Sequence, residues 1–64
     1  MPMVRRIVDV VVNDAVVRSE EVAYFRLPWT RPMSDQDCIA NALDELWYDR
    51  FEPPPGARYR VREP

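Results

Sequence analysis

The stretch SDQDCIANALDELWYDRFE, residues 34–52, predicts an amphipathic helix, and the rest of the fold must be arranged around it. Ser34 is a favourable N-cap, and Asp37 stands three residues later, a spacing that resembles a capping box. Because successive helical residues are about 100° apart, one apolar stripe collects Ile39, Ala42, Leu43 and Leu46, with Trp47 at its margin. The helix is expected to reach Glu52, because the prolines at 53–55 cannot continue it.

The other side of this predicted helix is almost wholly acidic. Residues 34–52 contain six acids and one arginine, a balance of −5, whereas the other 45 residues carry eight arginines and five acids, a balance of +3. Basic residues at i±4 spacing, which would neutralise this side, are missing. Tyr48 lies among the acids, and tyrosine is enriched at interface hot spots. The sequence therefore predicts a partner-binding face made of Asp37, Asp44, Glu45, Tyr48, Asp49 and Glu52.

Upstream, the sequence predicts a β-hairpin. Residues 4–12 are rich in β-branched side chains, Asn13-Asp14 suits a two-residue turn, and residues 15–27 read as the return strand. In that register Asp9 faces Arg18 and Arg6 faces Glu21, two pairs of opposite charge. A bulge is expected at Glu20-Glu21. The predicted core face of the hairpin comprises Val4, Val8, Val10, Val12, Ala15, Val17 and Ala23.

The segment between hairpin and helix is aromatic and proline-rich. Phe25, Leu27 and Trp29 are expected to close the core around the helix. In the alternative interpretation, Trp29 is partly exposed beside Arg26 and Arg31 and acts as an interface hot spot.

After the helix, residues 57–62 predict a short edge strand in which Tyr59 and Val61 alternate with arginines. The predicted fold class is therefore α+β: a small antiparallel sheet, built from the hairpin and a third strand, packed against one helix in the order β-β-α-β. Residues 1–64 are expected to form a single domain.

Composition excludes several classes of function. A 64-residue chain buries only about 60% of its unfolded surface, so its fold is marginal unless something supplements it. Cys38 is the only cysteine and histidine is absent, so neither a disulfide nor a metal site nor any cofactor is expected. Cys38 itself is expected to be structural. The sequence shows no nucleophile–base pair and no phosphate-binding glycine loop, so it does not predict an enzyme. Contact with another protein surface is the remaining way to stabilise so small a fold.

The expected location is the cytoplasm. No apolar run approaches the roughly 18–20 residues of a membrane span. Asp9 interrupts the apolar run that follows Arg5 and Arg6, so the N-terminus does not have the pattern of a signal peptide.

The C-terminal arginines Arg58, Arg60 and Arg62 suggest a second hypothesis, a small nucleic-acid-binding domain. The chain as a whole is acidic, with pI ≈ 4.9, whereas such domains are usually basic. Protection of the sheet edge, or pairing with Glu20 and Glu21, is the favoured role for these arginines, and direct nucleic-acid binding is not favoured.

In length, acidity and isolated α/β build, the chain resembles the small phage-encoded inhibitors of bacterial defence systems, in particular anti-CRISPR proteins. The resemblance covers the general character of the chain and no diagnostic motif. It implies a stoichiometric inhibitor in a bacterial cytoplasm that docks on a CRISPR effector subunit, in some members as a DNA mimic. Our expectation is a protein–protein inhibitor that covers an arginine- and lysine-rich surface of a nucleic-acid enzyme. The alternative of a different class is an assembly subunit that extends a sheet through the hairpin edge at residues 8–12. A homodimer is also possible.

Overall fold

The computed structural model describes residues 3–64, which form strands β1 (Met3–Val12) and β2 (Ala15–Phe25), helix α1 (Asp35–Tyr48) and strand β3 (Arg58–Arg62). The strands make one antiparallel sheet in the order β2-β1-β3. Helix α1 packs across one face and contacts all three strands. The predicted α+β class and the order β-β-α-β are confirmed. Within the described residues, no helix has the length and apolar character that crossing a membrane requires.

The turn between β1 and β2 forms at the predicted residues. Asn13 and Asp14 have φ angles of 52° and 63°. Two consecutive residues in the left-handed region make a type I′ turn, whose twist matches that of the flanking strands. Asparagine and aspartate tolerate this conformation better than most side chains, so the local sequence specifies the hairpin.

A β-bulge at Val17 shifts the alignment of the hairpin. The two residue pairs nearest the turn keep the predicted register, but Val10 then faces Arg18, which leaves Val17 as the extra residue and exposed. The bulge predicted at Glu20-Glu21 is therefore wrong in position. One additional residue reverses which side chains of the following strand face the core.

As a consequence, neither predicted pair of opposite charges forms across the hairpin. Asp9 faces Ser19, and Arg6 faces Val22. Val22, which the predicted register placed on the outer face, is buried, and Ala23, which it placed in the core, is exposed. These corrections share one cause, the shift at Val17.

The core lies between α1 and the inner face of the sheet. The alternation predicted for the third strand is confirmed, with Tyr59 and Val61 facing inward and the arginines outward. Cys38 is buried, as expected of a structural thiol. Partly buried apolar side chains surround the fully buried ones. The fully buried apolar side chains are Val8, Val10, Val22, Cys38, Ala42 and Leu46.

The aromatic segment before α1 does not close the core. Trp29 is 77% exposed and Phe25 is 62% exposed, so the predicted packing of these two residues is wrong. Strand alternation puts Phe25 on the face opposite that of its neighbour Tyr24, whose hydroxyl accepts a hydrogen bond from the Met33 backbone (3.3 Å). Trp29 sits in an exposed turn closed by a hydrogen bond from the Thr30 amide to the Leu27 carbonyl (3.1 Å).

The helix begins as predicted. The Asp37 amide donates to the Ser34 hydroxyl (3.1 Å), and the Ser34 amide donates to the Asp37 carboxylate (3.3 Å). This reciprocal capping box satisfies two of the N–H groups that the first turn leaves without helical partners.

The helix ends four residues earlier than predicted. The Phe51 amide donates to the Leu46 carbonyl (2.8 Å) and the Arg50 amide donates to the Trp47 carbonyl (2.9 Å), the two bonds of a Schellman motif. Arg50 has a φ of 59°. A left-handed residue reverses the chain, so the helix ends at Tyr48 and the prolines at 53–55 play no part in its termination.

Replacing Arg50 with glycine is expected to stabilise the protein. A left-handed conformation at this position costs a non-glycine residue about 1 kcal/mol, partly offset by the greater entropy of glycine in the unfolded chain. We expect Tm to rise by about 2–5 °C in thermal unfolding followed by circular dichroism. Arg50→Ala removes the same charge but keeps the Cβ atom, so it should not raise Tm. An equal rise in both variants would assign the effect to charge instead.

Candidate partner-binding surface

The acidic side of α1 extends to the electrostatically unfavourable end of the helix, although Asp35 and Asp37 lie at the favourable first turn. The C-terminus of a helix is the negative end of its dipole, where acidic groups are destabilising by about 0.3–1 kcal/mol each. The last turn of α1 contains no basic residue, and its C-cap is Asp49. Asp49 is compensated by an ion pair with Arg18, whereas Glu45 in the last turn has no ion pair among the described residues. Local rules broken without such compensation are typical of functional sites.

Two of the six predicted binding residues have structural roles. Asp37 accepts the capping-box hydrogen bond at the first turn. Asp49 forms an ion pair with Arg18 of β2 (Oδ2 to Nη2, 3.1 Å), and the same guanidinium lies 5.3 Å from the centre of the Phe51 ring. Arg18 therefore fixes the end of α1 to the sheet, and it neutralises one acid of the predicted face.

The other four predicted residues are exposed and close together. Asp44 and Glu45 lie one turn before Tyr48, at i,i+4 and i,i+3 spacing, and so share its side of the helix. Glu52 follows the helix end. Within residues 3–64, none of the three carboxylates comes within 4.0 Å of a cationic nitrogen of the chain. These charges face solvent.

The sequence prediction missed Trp47. It was placed at the margin of the apolar stripe, yet it is 73% exposed, and its neighbour Tyr48 is 81% exposed. An open groove of about 390 Å³ lies against both rings and is completed by Arg50, Phe51 and Glu52. We define the acidic–aromatic surface as Asp44, Glu45, Trp47, Tyr48 and Glu52.

A signal for the exposure of Trp47 was present in the sequence. The buried side chains of α1 are Cys38, Ala42 and Leu46, spaced four residues apart. Free cysteine is among the most buried residue types. Counting Cys38 as apolar rotates the centre of the stripe by about 20° away from Trp47, which places the Trp47 ring farther towards solvent.

The buried thiol of Cys38 is not activated. Burial raises the pKa of Cys38, and the nearby Asp35 carboxylate raises it further. A thiol in that state is a poor nucleophile and a poor metal ligand. Among the described residues, no three cysteine, histidine or acidic side chains converge as a metal ion would need.

The arginines of β3 bind an aspartate on the sheet face opposite α1. Asp9 is completely buried and accepts five hydrogen bonds, one of them from Ser19 (2.6 Å). Arg60 donates from Nε (3.3 Å) and Nη2 (2.9 Å). Arg62 donates from Nε (2.8 Å) and Nη2 (3.4 Å). We call Asp9, Ser19, Arg60 and Arg62 the Asp9 cluster.

The Asp9 cluster replaces the pairing that was predicted for these arginines. Arg60 and Arg62 do not pair with Glu20 or Glu21. The Arg62 hydrogen bond, followed by those of Ser19 and Arg60, holds the pKa of Asp9 far below its usual range, although burial acts in the opposite direction. The carboxylate therefore stays ionised and joins the central strand to β3.

Comparison of this chain with models of known protein families, with curated proteins and with solved structures yields no match.

Proposed function

We propose that this protein is a binding protein that docks the acidic–aromatic surface of α1 on a basic surface of a larger protein, and thereby keeps a nucleic acid from that surface. The carrying observation is the exposure of Trp47 and Tyr48 side by side among carboxylates. Aromatic side chains supply most hot spots at protein interfaces, and the surrounding polar rim excludes water from them.

The acids determine which partner is favoured. Asp44, Glu45 and Glu52 face solvent without an arginine partner in the described part of the chain, so their field extends outward. An anionic surface of this kind attracts arginine- and lysine-rich grooves, the sites at which nucleic acids bind by their phosphates. Occupation of such a groove by this protein inhibits the enzyme that owns it. Some members of the class of small anti-CRISPR-like inhibitors, which this chain resembles in general character, are expected to act in this way.

The experiment that tests the proposal is capture of partners from the native host by tagged protein. Asp44→Arg with Glu45→Arg should abolish capture of any partner with a basic surface. Glu21→Arg with Glu63→Arg is the matched control, because it changes the charge equally at two exposed acids whose ion pairs with Arg5 and Arg6 are long, 3.9 Å each. We expect the control to retain capture.

A second variant tests the aromatic part of the surface. Trp47→Ala removes an exposed ring and leaves every charge in place, so the domain should stay folded. Loss of a hot-spot residue costs about 2 kcal/mol or more, which corresponds to roughly a 30-fold weaker Kd. Capture that survives both Trp47→Ala and the double reversal would refute α1 as the contact.

The alternative of assembly through the hairpin edge would have to use β2, which is an edge strand of the sheet, and not residues 8–11 of β1. β1 is the central strand, and it pairs with both neighbours from Ile7 to Val11. A proline placed there would break the sheet itself, so it cannot serve as a specific test of assembly.

A further inference from the structure

The face of the sheet opposite α1 is basic and partly apolar. Alternation places Arg5 of β1 and the three arginines of β3 on this side, where Asp9 and Glu21 are the acids, a balance of +2. The same side carries Met3 and Phe25, a directly opposed pair with 46% and 62% exposure. We call this side the open sheet face.

No element of the described residues covers the open sheet face, and this face leaves apolar side chains in solvent. Antiparallel sheets commonly have one face packed on the core and one face in solvent, and here α1 covers one face alone. The accessible surface is 5098 Å², about a fifth more than the roughly 4,300 Å² expected of a compact monomer of 7.6 kDa. The excess, several hundred Å², is of the same order as the area that one partner contributes to a standard interface.

We propose that the open sheet face binds the acidic–aromatic surface of a second copy of this chain. Arg5 and Arg58 of one copy face carboxylates of the next, and Trp47 and Tyr48 can lie against its apolar and guanidinium groups. Stacking of arginine on aromatic rings adds to the attraction of the charges. The two surfaces are thus complementary in charge and in apolar character.

A nucleic acid matches the open sheet face less well. The chain has a net charge of −2, so it repels a polyanion at long range. Arg60 and Arg62 already direct their Nε and Nη2 groups at Asp9. A phosphate backbone would gain nothing from contact with the exposed apolar side chains of Met3 and Phe25, whereas a protein surface would bury them.

The geometry makes this association open-ended. The acidic–aromatic surface and the open sheet face lie on opposite sides of the molecule. When two copies associate, an acidic–aromatic surface therefore stays free at one end of the pair and an open sheet face at the other. Head-to-tail contacts of this type build chains or rings and not closed two-fold dimers. The association uses the surface of the proposed function but requires no other protein, so a host partner would compete with it.

Sedimentation with two charge-reversed variants tests the inference. The helix variant is Asp44→Arg with Glu45→Arg, and the sheet variant is Arg5→Glu with Arg58→Glu, which leaves the Asp9 cluster intact. We expect the weight-average mass of the wild type to rise about two-fold or more with concentration at low salt, and to return to that of a monomer at about 0.5 M salt, where charges are screened within a few Å. Each variant alone should remain monomeric.

The mixture of the two variants is decisive. The reversed helix surface of one variant is complementary in charge to the reversed sheet face of the other. An equimolar mixture should therefore regain the concentration-dependent mass of the wild type. A wild type that stays monomeric at low salt, or a mixture that stays monomeric while the wild type associates, overturns the proposal. So does a labelled oligonucleotide that binds the wild type but not the sheet variant, because the open sheet face would then be a polyanion site. None of these readouts depends on capture of a host partner, so this inference and the proposed function can fail separately.

Discussion

Asp9→Asn is expected to leave much of the protein unfolded at 37 °C. The substitution keeps the shape of the side chain but removes the charge that binds two guanidinium groups, and it directs an NH₂ group at one of them. The carboxylate is buried but both guanidinium groups are about half exposed and can be solvated, so the cost is that of losing hydrogen bonds to a charged group, about 1.5–3 kcal/mol. A core of this size supplies roughly 3–5 kcal/mol in total. We expect Tm to fall by about 15 °C in thermal unfolding.

The control is Glu21→Gln. That carboxylate is exposed and lies 3.9 Å from Arg5. Its loss should lower the free energy of unfolding by less than about 0.5 kcal/mol, because exposed ion pairs are weak. Equal Tm values for the two variants would show that the Asp9 cluster does not support the fold.

The same cluster determines the response to acid. Because the folded pKa of Asp9 is depressed, the unfolded chain binds this proton more readily than the folded one. The stabilisation is complete above the ordinary aspartate pKa of about 4, and it declines as the pH falls from there towards the folded value. The free energy of unfolding of the wild type should therefore drop steeply below about pH 4, and Asp9→Asn should lack that part of the drop. Parallel acid profiles would contradict the assignment.

Leu46→Ala is expected to destabilise the protein by about 3 kcal/mol. Leu46 is the largest fully buried side chain, with 1% exposure. Its truncation loses apolar burial and leaves a cavity that a three-stranded sheet and one helix can only partly close. The midpoint of urea unfolding, followed by helix circular dichroism, should move close to zero denaturant.

Leu43→Ala is the matched control for this prediction. It makes the same chemical change three residues earlier, at a position only partly buried, so about 1 kcal/mol is expected. If both substitutions cost the same, Leu46 is not more deeply buried than Leu43 and the described burial pattern of α1 is wrong.

Features specified by neighbouring residues were predictable from the sequence. The turn at Asn13-Asp14 needs two residues that accept positive φ, and the capping box needs Ser34 and Asp37 three residues apart. Each requirement acts over four residues or fewer, so the side chains themselves settle it. The alternation of β3 follows from the two-residue period of a strand and was predictable for the same reason.

Tertiary structure decided the features that depend on distant residues. The bulge at Val17 inserts one extra residue in β2, and the two strands could pair with or without it. Burial against α1 selects the register that hides Val22. The ionised Asp9 could not be foreseen as buried, because its arginine partners lie more than fifty residues away in sequence. The same limit applies to the end of α1, where Arg18 of β2 binds Asp49 and Phe51. The sequence alone thus determined that one side of the helix is acidic. The tertiary structure determined how many of those carboxylates remain without an ion pair, because it decided which arginines come within hydrogen-bonding distance of them.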